Sequence, residues 1–160
     1  MTTTISVGTF KERTGQHLGY SDWYQIPQKT IDAFADLTDD HGWPHVDVER
    51  SKESPIGGTI AHGFFTLSLF MHFWNQLVTV ERKSVLLFYG TNKVRFTAPV
   101  PADGRIRLGL EIASVKSFDD GELVTYNATY ELEGREKPAC FAEVLFRYWR
   151  EGMFPAHVAV

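Results

Sequence analysis

The distribution of apolar residues changes character once along the chain, near Val80. Upstream they fall on the helical repeat, and downstream they alternate with polar residues at the period of two that half-buried strands impose. Ile31, Phe34, Ala35 and Leu37 share one side of a segment from about Thr30 to Thr38, with Asp32 and Asp36 opposite. That pattern predicts a short amphipathic helix following Pro27. After a loop carrying Pro44, Pro55, Gly57 and Gly58, a second helix is predicted from near His62 and Gly63 to about Val78. It is apolar on nearly every side, so the rest of the chain has to wrap it.

The wrapping comes from the alternating half. Val94 and Phe96, then Ile106, Leu108, Leu110 and Ile112, then Val124, Tyr126, Ala128, Tyr130 and Leu132 mark successive strands. Ala102-Asp103-Gly104, Asp119-Asp120-Gly121 and Glu133-Gly134 separate them with residues that tolerate the positive backbone angles of tight turns, which predicts antiparallel neighbours. A last strand from about Ala139 to Trp149 and an early one near Trp23 to Ile26 complete the set. The expected class is α+β: an antiparallel sheet curled around one long apolar helix, the hot-dog fold. With no repeat, low-complexity tract or long linker, residues 1–160 read as a single domain.

Composition narrows the function classes. Sixteen basic and twenty acidic side chains are intermixed, for a formal charge of −4, and leave no basic stripe for nucleic acid. One cysteine, Cys140, excludes an internal disulfide framework and is compatible with a reducing compartment. The N-terminal stretch lacks the apolar core of a secretory signal. The segment from Phe64 to Phe73 is too short and too interrupted to span a membrane, so a cytoplasmic protein with no membrane partner is expected.

Chemistry concentrates in Phe34 to Asp47, FADLTDDHGWPHVD. Asp40 and His45 flank Gly42 and Pro44, so the chain can turn back and bring a carboxylate and an imidazole to one point. Adding water to an activated double bond needs a base for the water and an acid for the carbon beside the carbonyl, and such a pair can fill both roles. A solvated loop with a helix-capping Asp is the plainer reading of the same residues. The glycine-rich SPIGGTIAHG, Ser54 to Gly63, delivers the Gly63 N–H to a helix start, where unpaired donors could stabilise an enolate-like oxygen. Gly58, His62 and Asn92 are candidate substrate contacts, although His62 also reads as a structural hydrogen bonder at the helix entrance and Asn92 as a turn residue. His41, Asp47 and His62 lack the spacing of a metal site, so no metal is expected.

Here the residues resemble a known family, the MaoC-like and (R)-specific enoyl-CoA hydratases with their nodulation-protein-N-like relatives. The motif of that family runs from an aromatic residue through aliphatic and small positions to Gly-Asp-x-Asn-Pro-aliphatic-His and then Ala or Ser. Phe34, Leu37, Thr38, Asp40, His45 and Ser51 match it; Asp39, Gly42, Trp43 and Pro44 depart from it. GGTIAHGFFTLSLF from Gly57 and YGTNKVRFTAPVPADGRIR from Tyr89 also look like this branch. The resemblance implies a hydro-lyase that adds water reversibly to trans-2-enoyl-CoA to give (3R)-hydroxyacyl-CoA. It implies Asp40 and His45 as the catalytic pair, the Gly63 amide in the oxyanion hole, no cofactor beyond the coenzyme A of the substrate, and a homodimer. A hot-dog acyl-CoA thioesterase and a catalytically silent acyl-thioester-binding protein are the alternatives. Hot-dog thioesterases commonly carry an acidic residue on the central helix, and Gly63 to Val80 has none.

Overall fold

The computed structural model describes residues 2–80 and 84–155. In chain order the elements are β1 (Thr3–Ile5), a 3-10 turn (Phe10–Arg13), β2 (His17–Tyr20), β3 (Tyr24–Gln25), α1 (Gln28–Thr38), α2 (Trp43–Val46) and α3 (Val48–Glu53). There follow α4 (Gly63–Ser68), α5 (Phe70–Leu77), β4 (Val78–Val80), β5 (Val85–Phe96), β6 (Arg105–Phe118), β7 (Gly121–Leu132) and β8 (Cys140–Trp149). The main sheet runs β2-β6-β7-β8-β5, with β3 pairing beside β2 along β6 and every neighbour antiparallel. A small parallel pair, β1 with β4, lies apart from it.

The period-two pattern decides which face of this sheet is dry. Leu108 stands opposite Tyr130, Leu110 opposite Ala128 and Ile112 opposite Tyr126, and all six are fully buried. Their even spacing puts them on one face of the pleat, and β8 continues that face with Cys140, Ala142, Val144, Phe146 and Tyr148. Against it lie Phe65, Phe70, Phe73, Trp74 and Leu77 of α4 and α5, with Phe70 stacked on Phe146 at 5.5 Å and Phe73 edge-on to Tyr130 at 6.3 Å. Each large aromatic buried in this way contributes about 2–3 kcal/mol relative to exposure, so the α4–α5 seam is the energetic centre of the fold. The hot-dog arrangement expected from the pattern is therefore the one observed.

Three details differ from the expectation. The central helix is not continuous: it steps at Leu69, where ψ is 0°. Ser68 Oγ donates back to the Phe65 carbonyl at 2.7 Å and the Tyr130 hydroxyl donates to the Leu67 carbonyl at 3.1 Å, drawing carbonyls out of the helical ladder at that point. The strand marked in sequence by Val94 and Phe96 starts as early as Val85, where no period shows, because β5 is the sheet edge and its two faces do not alternate cleanly. β2, β1 and β4 carry too few residues for a period to show. Among the described residues no helix is long and apolar enough to cross a membrane.

Candidate active site

The site begins with the way α1 ends. Asp39 takes up φ 58° and ψ 24°, the left-handed conformation that closes a helix, and the next N–H, that of Asp40, turns back to the Ala35 carbonyl at 3.2 Å. The Asp40 side chain is left 59% exposed at the mouth of a cleft. Gly42 then starts the single turn of α2, with Pro44 in its first turn, where a missing N–H costs nothing. Asp47 closes the loop by accepting the Arg50 N–H at 3.0 Å and capping α3, and the buried Ser51 hydroxyl donates to the Trp43 carbonyl at 3.1 Å.

A second segment, Thr59 to His62, is laid against this loop and fixed to Val100 to Ala102. The Ala61 N–H donates to the Val100 carbonyl and the Ala102 N–H to the Thr59 carbonyl, both at 2.8 Å. The Ile60 N–H donates to the Pro44 carbonyl at 2.9 Å, and the Ile60 carbonyl accepts from His45 Nδ1 at 2.7 Å. A backbone carbonyl only accepts, so His45 carries a hydrogen on Nδ1, and in the neutral imidazole the free lone pair is that of Nε2. Gln28 ties the two segments: its amide donates to the His45 carbonyl at 2.8 Å and its oxygen accepts from the Thr59 hydroxyl.

His62 completes the cluster from behind. Only 3% exposed, its Nε2–H donates to the Asp40 carbonyl at 2.9 Å, and its ring stacks on that of His45 at 3.8 Å with 22° between planes. The opposite side of the His62 ring meets Phe34 at 5.1 Å. Asp40, His45 and His62 offer donor atoms within 4.8 Å of one another, a spacing compatible with a cation. His62 Nε2 and His45 Nδ1 are however spent on backbone carbonyls, which leaves His45 Nε2 and the Asp40 carboxylate as the open groups.

Two clefts meet at this point. One of about 340 Å³ is lined by Phe34, Thr38, Asp40, His45, His62, Gly63 and Phe64. The other, about 330 Å³, has His45 and Gly63 at one end and an apolar wall that includes Ile60, Ala61, Phe96, Val100 and Ala139. Both volumes lie at the lower end of the range for small-molecule sites. Gly63 is the first residue of α4, so its N–H has no acceptor within the helix.

The candidates from sequence therefore separate. Asp40, His45, His62 and Gly63 converge on one cleft. Gly58, in the loop before Thr59, and Asn92, exposed on the edge strand, line neither of the two clefts. Lys93, Arg105 and Arg107 pair with Glu143, Glu133 and Glu131 on neighbouring strands. His41 hydrogen-bonds Asp36 at 3.0 Å, which raises its pKa, and it lines neither cleft. Gln28 and Phe96 were not singled out from sequence. Gln28 acts through chain segments 17 and 31 residues distant, and Phe96 reaches the site because β5 shifts register between Asn92 and Arg95.

A family model for the MaoC like domain matches residues 9–134. The chain belongs to the MaoC-like family. It is similar to 3-hydroxyacyl-thioester dehydratase Z of Mycobacterium tuberculosis H37Rv, at 44% identity over 149 residues, covering 92% of this chain and 99% of that protein. It is also similar to nodulation protein N of Rhizobium leguminosarum bv. viciae, at 42% identity over 143 residues, covering 86% and 88%. Among solved structures, the monoamine oxidase regulatory protein of Archaeoglobus fulgius superposes with a TM-score of 0.76 at 24% identity, covering 97% and 99%. The (R)-hydratase of A. caviae superposes at 0.66 with 20% identity, covering 83% and 94%, and shares the fold.

Two departures from the MaoC-like motif acquire a physical meaning. Where the motif has Gly, Asp39 occupies the left-handed position that glycine favours, and Asp is among the side chains that tolerate it. Where the motif has Asn, Gly42 has φ −53°, open to any residue, and a Cβ there would stand 3.4 Å from Asp40 Oδ1 and 3.5 Å from His45 Cδ2. A side chain at position 42 would border Asp40 and His45 directly; in this MaoC-like chain that flank is open.

Proposed function

We propose that this protein is a hydro-lyase that adds water reversibly to trans-2-enoyl-CoA thioesters, giving (3R)-hydroxyacyl-CoA. One observation carries the reading: the bare His45 Nε2 and the exposed Asp40 carboxylate share a cleft with the unpaired N–H of Gly63. Dehydratase Z, by its name, acts on 3-hydroxyacyl thioesters, and 44% identity over nearly the full length supports the same chemistry here.

In this mechanism a water held between Asp40 and His45 gives a proton to the pair while its oxygen bonds to C3. The π electrons of the double bond move toward the thioester oxygen, and the Gly63 amide donates to that oxygen as its charge grows. The pair then returns the proton to C2, so one water adds in total and Asp40 and His45 end as they began. No electron leaves or enters, and the reaction as written calls for no redox cofactor. The acyl chain has an apolar path along Ile60, Phe96 and Val100. The (3R) configuration follows the resemblance and is a matter for the product analysis below.

A homodimer is part of the proposal. β5 is an unpaired sheet edge and exposes Leu87, Phe88, Tyr89 and Phe96, with Phe64 beside them. An uncovered apolar edge of this length is suited to pairing with a second copy. The test of function is turnover of trans-2-enoyl-CoA thioesters of increasing length, with chiral analysis, for wild type and Asp40→Asn. The wild type is expected to form the (3R) product, and the variant to lose about 10²- to 10⁴-fold in kcat. Its fold should be intact, because the His62 hydrogen bond at 2.9 Å goes to the Asp40 main chain, while the carboxylate stands 3.9 Å from Nε2 and is largely exposed. Thiol release without hydration would replace this reading by hydrolysis, and ligand binding without turnover would replace it by a silent binding protein.

A further inference from the structure

His62 is better placed to hold the catalytic pair than to touch substrate. It sits at the N-cap of α4 with φ −60° and ψ 141°, an extended conformation that throws the ring back over the Asp40 to His45 loop. Its ring is one member of a chain of ring contacts: Phe65 stacked on Phe34 at 5.3 Å, Phe34 tilted against His62 at 5.1 Å, and His62 stacked on His45 at 3.8 Å. The ring at one end of the series is thus a member of the proposed catalytic pair, and the two at the other end are fixed in or against the core.

The hydrogen bonds of His62 point the same way. Its Nε2–H reaches the Asp40 carbonyl, and Nδ1 is buried without any hydrogen-bond partner. Leaving an acceptor unpaired in the interior is unfavourable. A residue selected for packing alone would avoid it. What only an imidazole supplies here is a flat face for His45 together with a single donor at the reach of Nε2.

Resting on the hydratase reading, we propose that His62 is a positioning residue, which sets the distance between the Asp40 carboxylate and His45 Nε2 by gripping the main chain of one and the ring face of the other. The role predicts an effect on kcat and none on substrate affinity, since a misplacement near 1 Å costs about 10²-fold in rate.

The test uses two variants of the full chain with a short trans-2-enoyl-CoA. His62→Gln keeps a donor at similar reach and loses the ring; His62→Phe keeps the ring and loses the donor. The expected result is a kcat about 100-fold down for Phe and about tenfold down for Gln, with KM within about threefold of wild type for both. Equal kcat in the two variants, or a raised KM at unchanged kcat, overturns the proposal, the latter in favour of a substrate contact. Long-range ¹H–¹⁵N spectra of the wild-type imidazoles provide a readout that needs neither variant nor turnover. They should place the hydrogen on Nε2 of His62 and Nδ1 of His45, and the opposite tautomer at His62 overturns the proposal. If wild type hydrates no thioester while the spectra agree, the hydratase reading has failed and the grip of His62 on the loop stands.

Discussion

Replacing Gly63 by proline exchanges the amide hydrogen at the proposed oxyanion site for a carbon that cannot donate, which makes it a sharp probe of the mechanism. Proline is well tolerated at the first residue of a helix, where the N–H has no intrahelical partner. The residue before it must be extended, and His62 already has φ −60° and ψ 141°. The new Cβ would meet three ring atoms of Phe96 at 3.0 Å, and the pyrrolidine Cδ takes the place of the amide hydrogen. Phe96 is 46% exposed, so its ring can swing outward by the few tenths of an ångström required. Gly63→Ala carries the same Cβ and keeps the N–H, so the comparison between the two variants cancels the Cβ contact and leaves the lost donor together with the ring carbon that replaces it. Loss of one oxyanion donor lowers kcat by about 10²–10³, or about 2.7–4 kcal/mol of transition-state stabilisation. Gly63→Pro should therefore fall at least that far below Gly63→Ala, followed by loss of the conjugated enoyl-thioester absorbance under saturating substrate. Thermal unfolding should leave the proline variant no less stable than the alanine one, because proline restricts the unfolded chain. If the proline variant keeps a kcat within tenfold of the alanine variant, the Gly63 amide is not the donor.

Other expectations follow from single features. Asp39→Gly relieves a left-handed aspartate at φ 58° and should raise stability by about 0.5–1 kcal/mol, or about 1–4 °C in Tm; an unchanged or lowered Tm contradicts the assignment of strain there. Burial pushes the Cys140 thiol up to about 11, so a thiol reagent at pH 8 should label it only at the rate of unfolding, and rapid stoichiometric labelling of the native protein argues against the packing described. The Asp36 hydrogen bond raises His41 above its ordinary 6.5, so its contribution to stability is complete below that value and is lost as pH rises through the folded pKa. Asp36→Asn should bring the His41 titration, followed by NMR, back toward 6.5, and an unmoved curve would assign the shift to another cause.

How much of this is legible in the sequence depends on the range over which each residue acts. The alternation of Ile106 to Ile112 and of Val124 to Leu132 is local, and it marks the buried face before any register is known. Asp40 and His45 are also a local pair, brought together by one turn around Gly42 and Pro44. His62 acts on Asp40 across 22 residues, and only the docking of Thr59 to Ala61 against Val100 to Ala102 reveals that contact. The same docking carries Gly58 away from the cleft although it lies in the glycine-rich approach. The edge strand hides for a different reason: Leu87, Phe88 and Tyr89 are consecutive and exposed, so burial imposes no period on them. Motif departures are visible in sequence, but whether a position needs glycine is a question of φ, which separates Asp39 from Gly42.

The ordinary backbone angle at Gly42 also bears on how this active site can diverge. No conformational demand keeps glycine there, and its Cβ direction points at Asp40 and His45 across open van der Waals distances. Alanine at that position should even add about 0.4–1 kcal/mol by restricting the unfolded chain. A single codon can thus redraw the fence around the reactive groups without moving the main chain that carries them. Successive mutations could change which substituents a substrate bears next to its double bond while the folding pathway, the sheet and the helical spine stay as they are.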